Sequence, residues 1–232
     1  MHSCSLLKKL SALCLAILFS SAHLGATVLI DDHFATYEPG SEPDAPDDGN
    51  PNSWKFGESF EAKVKREDER NYVHLFREGG EAYSTISRRF EPSGGVLDLK
   101  LKFRRHSGNP SDYFVFLADS SQGNFSGPVK IRVTTDGALE FYGRNEERVT
   151  YPGKLSPERW YILEVKVDFN SQQYQVSVGE DDLPESKFET KPIPFVAKAD
   201  VCDLFLIRPS ESSQLTRGSL DWDLAEVVLT GN

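Results

Sequence analysis

The chain alternates. In Leu97-Asp98-Leu99-Lys100-Leu101-Lys102-Phe103-Arg104 every odd position is apolar and every even one charged. Val129, Ile131 and Val133 alternate with Lys130 and Arg132. Tyr161, Leu163, Val165, Val167 and Phe169 alternate with Ile162, Glu164, Lys166 and Asp168, and Tyr174, Val176 and Val178 with Gln173, Gln175 and Ser177. A strand sends successive side chains to opposite faces, so each run predicts a half-buried strand with one wet face. Turn residues punctuate the runs: Ser93-Gly94-Gly95, Ser107-Gly108-Asn109-Pro110, Asp136-Gly137, Pro152-Gly153 and Gly179-Glu180-Asp181-Asp182. About a dozen strands and no amphipathic helix are predicted, which means antiparallel sheets packed as a two-sheet β-sandwich or jelly roll. Two segments break the rhythm. Glu38–Asn52 carries Pro39, Pro43, Pro46 and Pro51 and predicts an exposed loop outside any ladder; Lys187–Lys198, with Pro192 and Pro194, predicts an irregular crossing.

The first 26 residues follow a different pattern. Lys8 and Lys9 precede an apolar stretch, Leu10–Ser21, and Leu24-Gly25-Ala26 offers small residues for cleavage before Thr27. This is the pattern of a secretory signal peptide. The stretch is too short to cross about 30 Å of hydrocarbon, and nothing later is apolar enough to do so. A secreted or periplasmic protein is expected, with residues 27–232 forming one β-sandwich domain. Losing Lys8 and Lys9 takes the net charge from −10 to −12. That disfavours nucleic acid and anionic membranes as partners. Cys4 and Cys14 leave with the leader, so Cys202 stands alone in the apolar run Val201–Ile207 and reads as a buried small hydrophobe.

Between Pro128 and Val178 the order becomes specific. Val129–Val133 is followed by Asp136-Gly137 and Ala138–Tyr142, then by Trp160-Tyr161-Ile162-Leu163-Glu164-Val165-Lys166-Val167-Asp168, then by Tyr174-Gln175-Val176-Ser177-Val178. This resembles concanavalin A-like jelly rolls of the laminin-G-like type. Val28-Leu29-Ile30-Asp31-Asp32-His33-Phe34 looks like the opening strand of secreted bacterial members, and Gly218-Ser219-Leu220-Asp221-Trp222-Asp223 like their closing one. The resemblance implies the fold. It leaves function open, because that fold hosts lectins, glycosidases, lyases and inert modules.

Two catalytic chemistries have candidate residues. Some glucanases on this fold use Glu-x-Asp-x-x-Glu, and Asp221-Trp222-Asp223-Leu224-Ala225-Glu226 comes near it. The apolar parity shifts there, from Leu220, Trp222 and Leu224 to Val227 and Leu229, which predicts a β-bulge near Ala225 that aligns the three acids. The first position is Asp, one methylene shorter than the Glu nucleophile, and the motif sits on the closing strand. A lyase would need cations, a base and an acid around a uronate. Arg88, Arg89, Lys100, Lys102, Arg104 and Arg105 supply cations, His74 or His106 a base, and Tyr83, Tyr113 or Tyr142 an acid. The blander account is a wet strand face. A Gly-x-Ser-x-Gly elbow and a Gly-rich phosphate loop are both missing.

Binding is the better supported expectation. Sugars need flat aromatic faces beside hydrogen-bonding groups. By parity Lys100, Lys102 and Arg104 form one row, Tyr142 lies beside Lys130 and Arg132, and Tyr72 and His74 share a face. Trp54, Trp160 and Trp222 read as core anchors. A cationic row on an acidic protein points to an acidic polysaccharide or glycoconjugate as partner. Asp31 and Asp32 on the first strand and Asp221 and Asp223 on the last would meet if those strands pair, giving a structural calcium site. The function expected is non-catalytic carbohydrate binding, with a polysaccharide lyase or glycosidase, or a structural protein-binding module, as alternatives.

Overall fold

Each alternating run forms a strand whose apolar side turns inward. A computed structural model describes residues 26–43, 53–57, 61–76, 85–107, 112–122, 127–183, 185, 187–209 and 221–231, with the side chains of Pro209 and Asp221 left out. Residues 1–25 of the expected leader, Tyr83, and residues 44–52 of the Pro-rich segment Glu38–Asn52 lie outside these residues.

In chain order the strands are β1 (Thr27–Asp32), β2 (Trp54–Phe56), β3 (Glu61–Glu67), β4 (Arg70–Phe76), β5 (Ile86–Ser93), β6 (Val96–Arg105), β7 (Tyr113–Ala118), β8 (Val129–Val133), β9 (Leu139–Tyr142), β10 (Arg148–Thr150), β11 (Trp160–Asp168), β12 (Gln173–Glu180), β13 (Phe188–Glu189), β14 (Ile193–Pro194), β15 (Cys202–Pro209) and β16 (Asp221–Gly231). Helical structure among the described residues is confined to short 3-10 turns, at Ser120–Gln122, Arg144–Glu146 and Glu185. The larger sheet runs β13-β12-β11-β6-β16-β4-β3, with β1 added beside β16 and β14 beside β12; the smaller runs β10-β9-β8-β7-β15-β5-β2. Both sheets are antiparallel throughout.

One core cluster takes side chains from both sheets, including Leu97–Phe103 at odd positions, Val165, Val176, Ile131, Phe141 and Phe205. Trp222 is its largest fully buried member, 5.3 Å from the Phe103 ring centroid and 5.5 Å from Tyr113. The smaller sheet is apolar on its outer face too. Phe114, Phe116, Ala118, Tyr142, Leu204 and Leu206 form a second buried cluster there, with Val196 packed against it. Val196 belongs to the Pro-rich crossing, which supplies β13 and β14 to the larger sheet and then bonds Pro128 and Gly127 beside the smaller one.

The loop after β1 departs from expectation. Gly40 N–H donates to Val64 O and Val64 N–H to Ser41 O, each at 2.8 Å, so this segment pairs with the outer edge of β3. Capping an edge strand in this way hides backbone groups that would otherwise recruit another chain. The Asp136-Gly137 turn behaves as predicted. Gly137 has φ +85, and a Cβ there would lie 2.5 Å from Leu155 O and 2.2 Å from Arg105 Nη1.

Two outcomes are expected in chemical denaturation. Trp222→Ala should cost about 3–5 kcal/mol, because it empties the centre of the core. Gly137→Ala should cost at least about 1–3 kcal/mol, left-handed backbone strain adding to the clash with Leu155 O, while Gly153→Ala, which lacks a left-handed φ and meets only the Tyr151 side chain, should cost less.

Candidate functional site

Strand pairing aligns side chains into rows across the larger sheet. His74 on β4 lies opposite Asp223 on β16, Asp223 opposite Arg104 on β6, and Arg104 opposite Trp160 on β11. All four share the outer face, because their neighbours Val73, Leu75, Trp222, Leu224, Phe103 and Tyr161 face the core. A bulge between Leu224 and Glu226 then brings Glu226 onto this face, opposite Lys102.

Asp223 is the hub. It has no solvent exposure. His74 Nδ1 lies 2.9 Å from its Oδ1, and His106 Nε2 lies 2.9 Å from its Oδ2. Arg104 donates to Oδ2 from Nε at 2.8 Å and from Nη2 at 2.6 Å. Burial opposes its charge, but the hydrogen bonds from His106 and His74, with Arg104 beside them, outweigh burial and hold the carboxyl well below the usual carboxylate range. Arg104 also bonds Glu67 at 2.7 Å, and its guanidinium carbon lies 4.6 Å from the Trp160 ring centroid and 5.2 Å from that of Tyr72. His106 Nδ1 lies 2.7 Å from Glu158 Oε2, and Glu158 Oε1 accepts from Ser107 N–H at 3.0 Å. Burial opposes ionisation of Glu158; the Ser107 amide and His106 prevail and lower its pKa.

Above this cluster runs an open groove of about 930 Å³. Tyr72, Trp160, Arg104, Lys102, Glu158 and Glu226 line it, with Asp68 and Glu69 of the β3–β4 turn and Arg70 and Asn71 at the start of β4. A second groove of about 470 Å³ continues on the same sheet face between Lys100, Glu164, Gln175 and Val228. The bridge from Lys100 to Glu226, at 2.8 Å, links the two.

The residues expected from sequence fall in several places. Lys100, Lys102 and Arg104 do form a row on one face, yet each is paired: Lys100 with Glu226, Lys102 with Asp181, and Arg104 with Asp223 and Glu67. Lys130, Arg132 and Tyr142 cluster as parity predicted, but on the outer face of the smaller sheet, so the six do not form one site. Lys130 sits over the Phe114 and Tyr142 rings at 5.0 and 4.6 Å, and Arg132 bonds Asp112, Glu140 and Tyr142.

The carboxylate set also separates. β1 and β16 pair antiparallel as expected, but the register sets Asp31 and Asp32 opposite Val228 and Val227, well along the strand from Asp223. Asp32 is buried and taken by Trp54 Nε1 at 2.7 Å, Arg88 at 2.8 Å and the Phe34 amide at 3.0 Å. Asp31 is exposed beside His33. The side chain of Asp221 lies outside the described residues. An all-carboxylate calcium site built from Asp31, Asp32 and Asp223 is therefore not assembled.

The lyase cation cluster splits by parity as well. Arg88 turns to Asp32 and Trp54, Arg89 to Ser120 and Asp203, and Arg105 to backbone carbonyls of Leu155 and Thr135. Tyr113 is buried in the core. Cys202 is buried and its thiol pKa pushed up, chiefly by burial, which leaves it inert. Trp54 and Trp222 are core anchors, but Trp160 is partly exposed at the groove. Its parity with Ile162 and Glu164 is the signal that would have placed it there.

No family model and no curated protein matches this chain. Solved structures do. A sialidase matches with a TM-score of 0.64 at 14% identity over 90% of this chain, which spans only 19% of the sialidase. The catalytic domain of the glycoside hydrolase family 131 protein from Coprinopsis cinerea matches with a TM-score of 0.62 at 10% identity, covering 88% of this chain and 94% of that one. Peanut lectin matches with a TM-score of 0.55 at 11% identity, covering 87% and 96%. At such identities the likeness is one of fold: the chain has the two-sheet, concanavalin A-like jelly-roll fold.

Removing the hub isolates its contribution. Asp223→Ala should cost about 3–5 kcal/mol in urea unfolding, because Arg104 and two imidazoles lose a buried acceptor. Glu67→Ala, which removes an exposed partner of the same arginine, should cost under about 1 kcal/mol.

Proposed function

We propose that the outer face of the larger sheet binds an extended, neutral carbohydrate chain. The groove carries this reading: about 930 Å³, open along one side, with the partly exposed Trp160 ring and the edge of Tyr72 beside hydrogen-bonding side chains. Sugars present apolar C–H faces and rings of hydroxyls, and this lining matches both. The sialidase, glycoside hydrolase and lectin neighbours on the same fold support a carbohydrate ligand. The row of lysines and arginine no longer favours an acidic glycan. Its charges are paired, and the groove is lined by the acids Glu67, Asp68, Glu69, Glu158 and Glu226 against the cations Arg70, Lys102 and Arg104. Like charge would repel a uronate or sulfate there.

A glycan-cleaving activity on the same face is the second reading. The observation favouring it is the pair of imidazoles oriented by Asp223, since a fixed tautomer is what general acid–base chemistry requires. We infer also that the protein is exported, on the strength of residues 1–26.

A panel of neutral, uronate and sulfated polysaccharides immobilised on a column tests this. Neutral chains should retain the protein. Trp160→Ala should weaken retention at least about tenfold, equivalent to roughly 1.4 kcal/mol, and Lys130→Glu should not change it. Loss with Lys130→Glu and none with Trp160→Ala would move the site to the other sheet. Release of reducing ends or of unsaturated uronates, abolished by His106→Ala, would establish cleavage. Mass spectrometry of the exported protein should find Thr27 at its N-terminus.

A further inference from the structure

We propose that His74, His106 and Asp223 form a binding site for a divalent transition ion of the zinc class. His74 Nδ1, His106 Nε2 and a carboxylate oxygen of Asp223 all lie within 4.8 Å of one another. An ion held at about 2.0–2.2 Å by tetrahedral ligands needs donors about 3.3 Å apart. His74 Nδ1 already lies 2.9 Å from Oδ1 of Asp223, and His106 Nε2 lies 2.9 Å from Oδ2, so an ion on Oδ1 requires the His106 ring or the carboxylate to turn.

Three features point to an ion rather than to a hydrogen-bonded cluster alone. Backbone pairing sets His74 on β4 opposite Asp223 on β16, and His106 follows directly on β6, the other neighbour of β16. His106 turns its other ring nitrogen to Glu158 at 2.7 Å. Such a carboxylate behind a ligating imidazole sets the tautomer and raises its basicity. Charge gives the third. Among the described residues three carboxylates, Asp223, Glu158 and Glu67, gather about one guanidinium, Arg104, and two imidazoles, an acidic surround that favours a divalent cation.

The donor chemistry selects the ion. Two imidazoles and one carboxylate suit zinc and its neighbours, whereas calcium wants six to eight oxygens. Arg104 keeps Oδ2 of Asp223, leaving Oδ1 for the metal. Three protein ligands leave a fourth position for water or a ligand. The site stands or falls separately from the carbohydrate reading, because its readout is ion binding.

Calorimetry on the tag-free full chain, stripped with EDTA and titrated with Zn2+ and separately with Ca2+, tests the assignment. One Zn2+ per chain is expected, with a raised unfolding temperature, and no heat from Ca2+. His74→Ala and His106→Ala should each weaken Zn2+ binding more than a hundredfold, and Glu158→Gln by about 10–100-fold. Circular dichroism of each variant separates lost binding from lost fold, and His74→Gln serves where alanine does not fold. Absence of stoichiometric Zn2+ binding by the wild-type chain would overturn the proposal. So would equal binding by a folded double His variant, or Ca2+ binding as tight as Zn2+.

Discussion

A carboxylate without solvent exposure on the central strand of a sheet is costly, and the outer face of the larger sheet is organised by that cost. Burying an unpaired charge would unfold a domain of marginal stability. Asp223 therefore demands cationic or donor groups on both neighbouring strands. His74 answers from β4 and Arg104 from β6, each directly opposite in the ladder. Arg104 has charge to spare, and Glu67 takes it. Its planar cation then lies against Trp160 and Tyr72, which is how two aromatic residues come to line a groove on a polar face. One position to either side on the strand, Trp222 and Leu224 face the core. β16 thus carries the centre of the core and the centre of the site on its two sides.

The two outer faces of the sandwich are not equivalent. Along β7 the alternation fails: Tyr113 through Ala118 are all buried. Phe114 and Phe116 are covered by Val196 and by lysine and arginine side chains above their rings. Lys130 is part of that cover and Arg132 bonds the Tyr142 hydroxyl, which explains why a parity argument finds them beside an aromatic ring without finding a groove. The larger sheet has nothing comparable laid across it among the described residues, and both large grooves open there. A ligand meets formed recesses on one face and a sealed apolar layer on the other.

Parity alone settled which residues share a face. The Lys100, Lys102 and Arg104 row, the bulge at Ala225 and the Asp136-Gly137 turn were all legible, because each depends on neighbours in the chain. What a face carries in charge was not legible. Glu226, Asp181 and Glu67 neutralise that row from three other segments, so the field of a sheet cannot be read from one strand. His74 and Asp223 are 149 residues apart and Arg104 and Asp223 are 119 apart. Only the strand order β6-β16-β4, which no local pattern encodes, brings them together. Trp160 is a different kind of miss. Its position was readable and its chemistry overruled it, since a tryptophan among apolar residues suggests a core.

The bulge at Ala225 ties site and topology to one cause. Residues three apart on a regular strand point to opposite faces. Without an inserted residue, either Glu226 would enter the core or Val227 and Leu229 would leave it. The bulge keeps Trp222, Leu224, Val227 and Leu229 inside, and Asp223 and Glu226 outside. It also falls where β16 changes partner. Before it, Asp221–Leu224 pair with β4; after it, Val227–Gly231 pair with β1. β4 and β1 thus share one side of β16 end to end, and the changeover lies beside Ala225, which lines the groove. The same inserted residue that lets the chain's two terminal strands close the sheet also sets the second carboxylate beside the first.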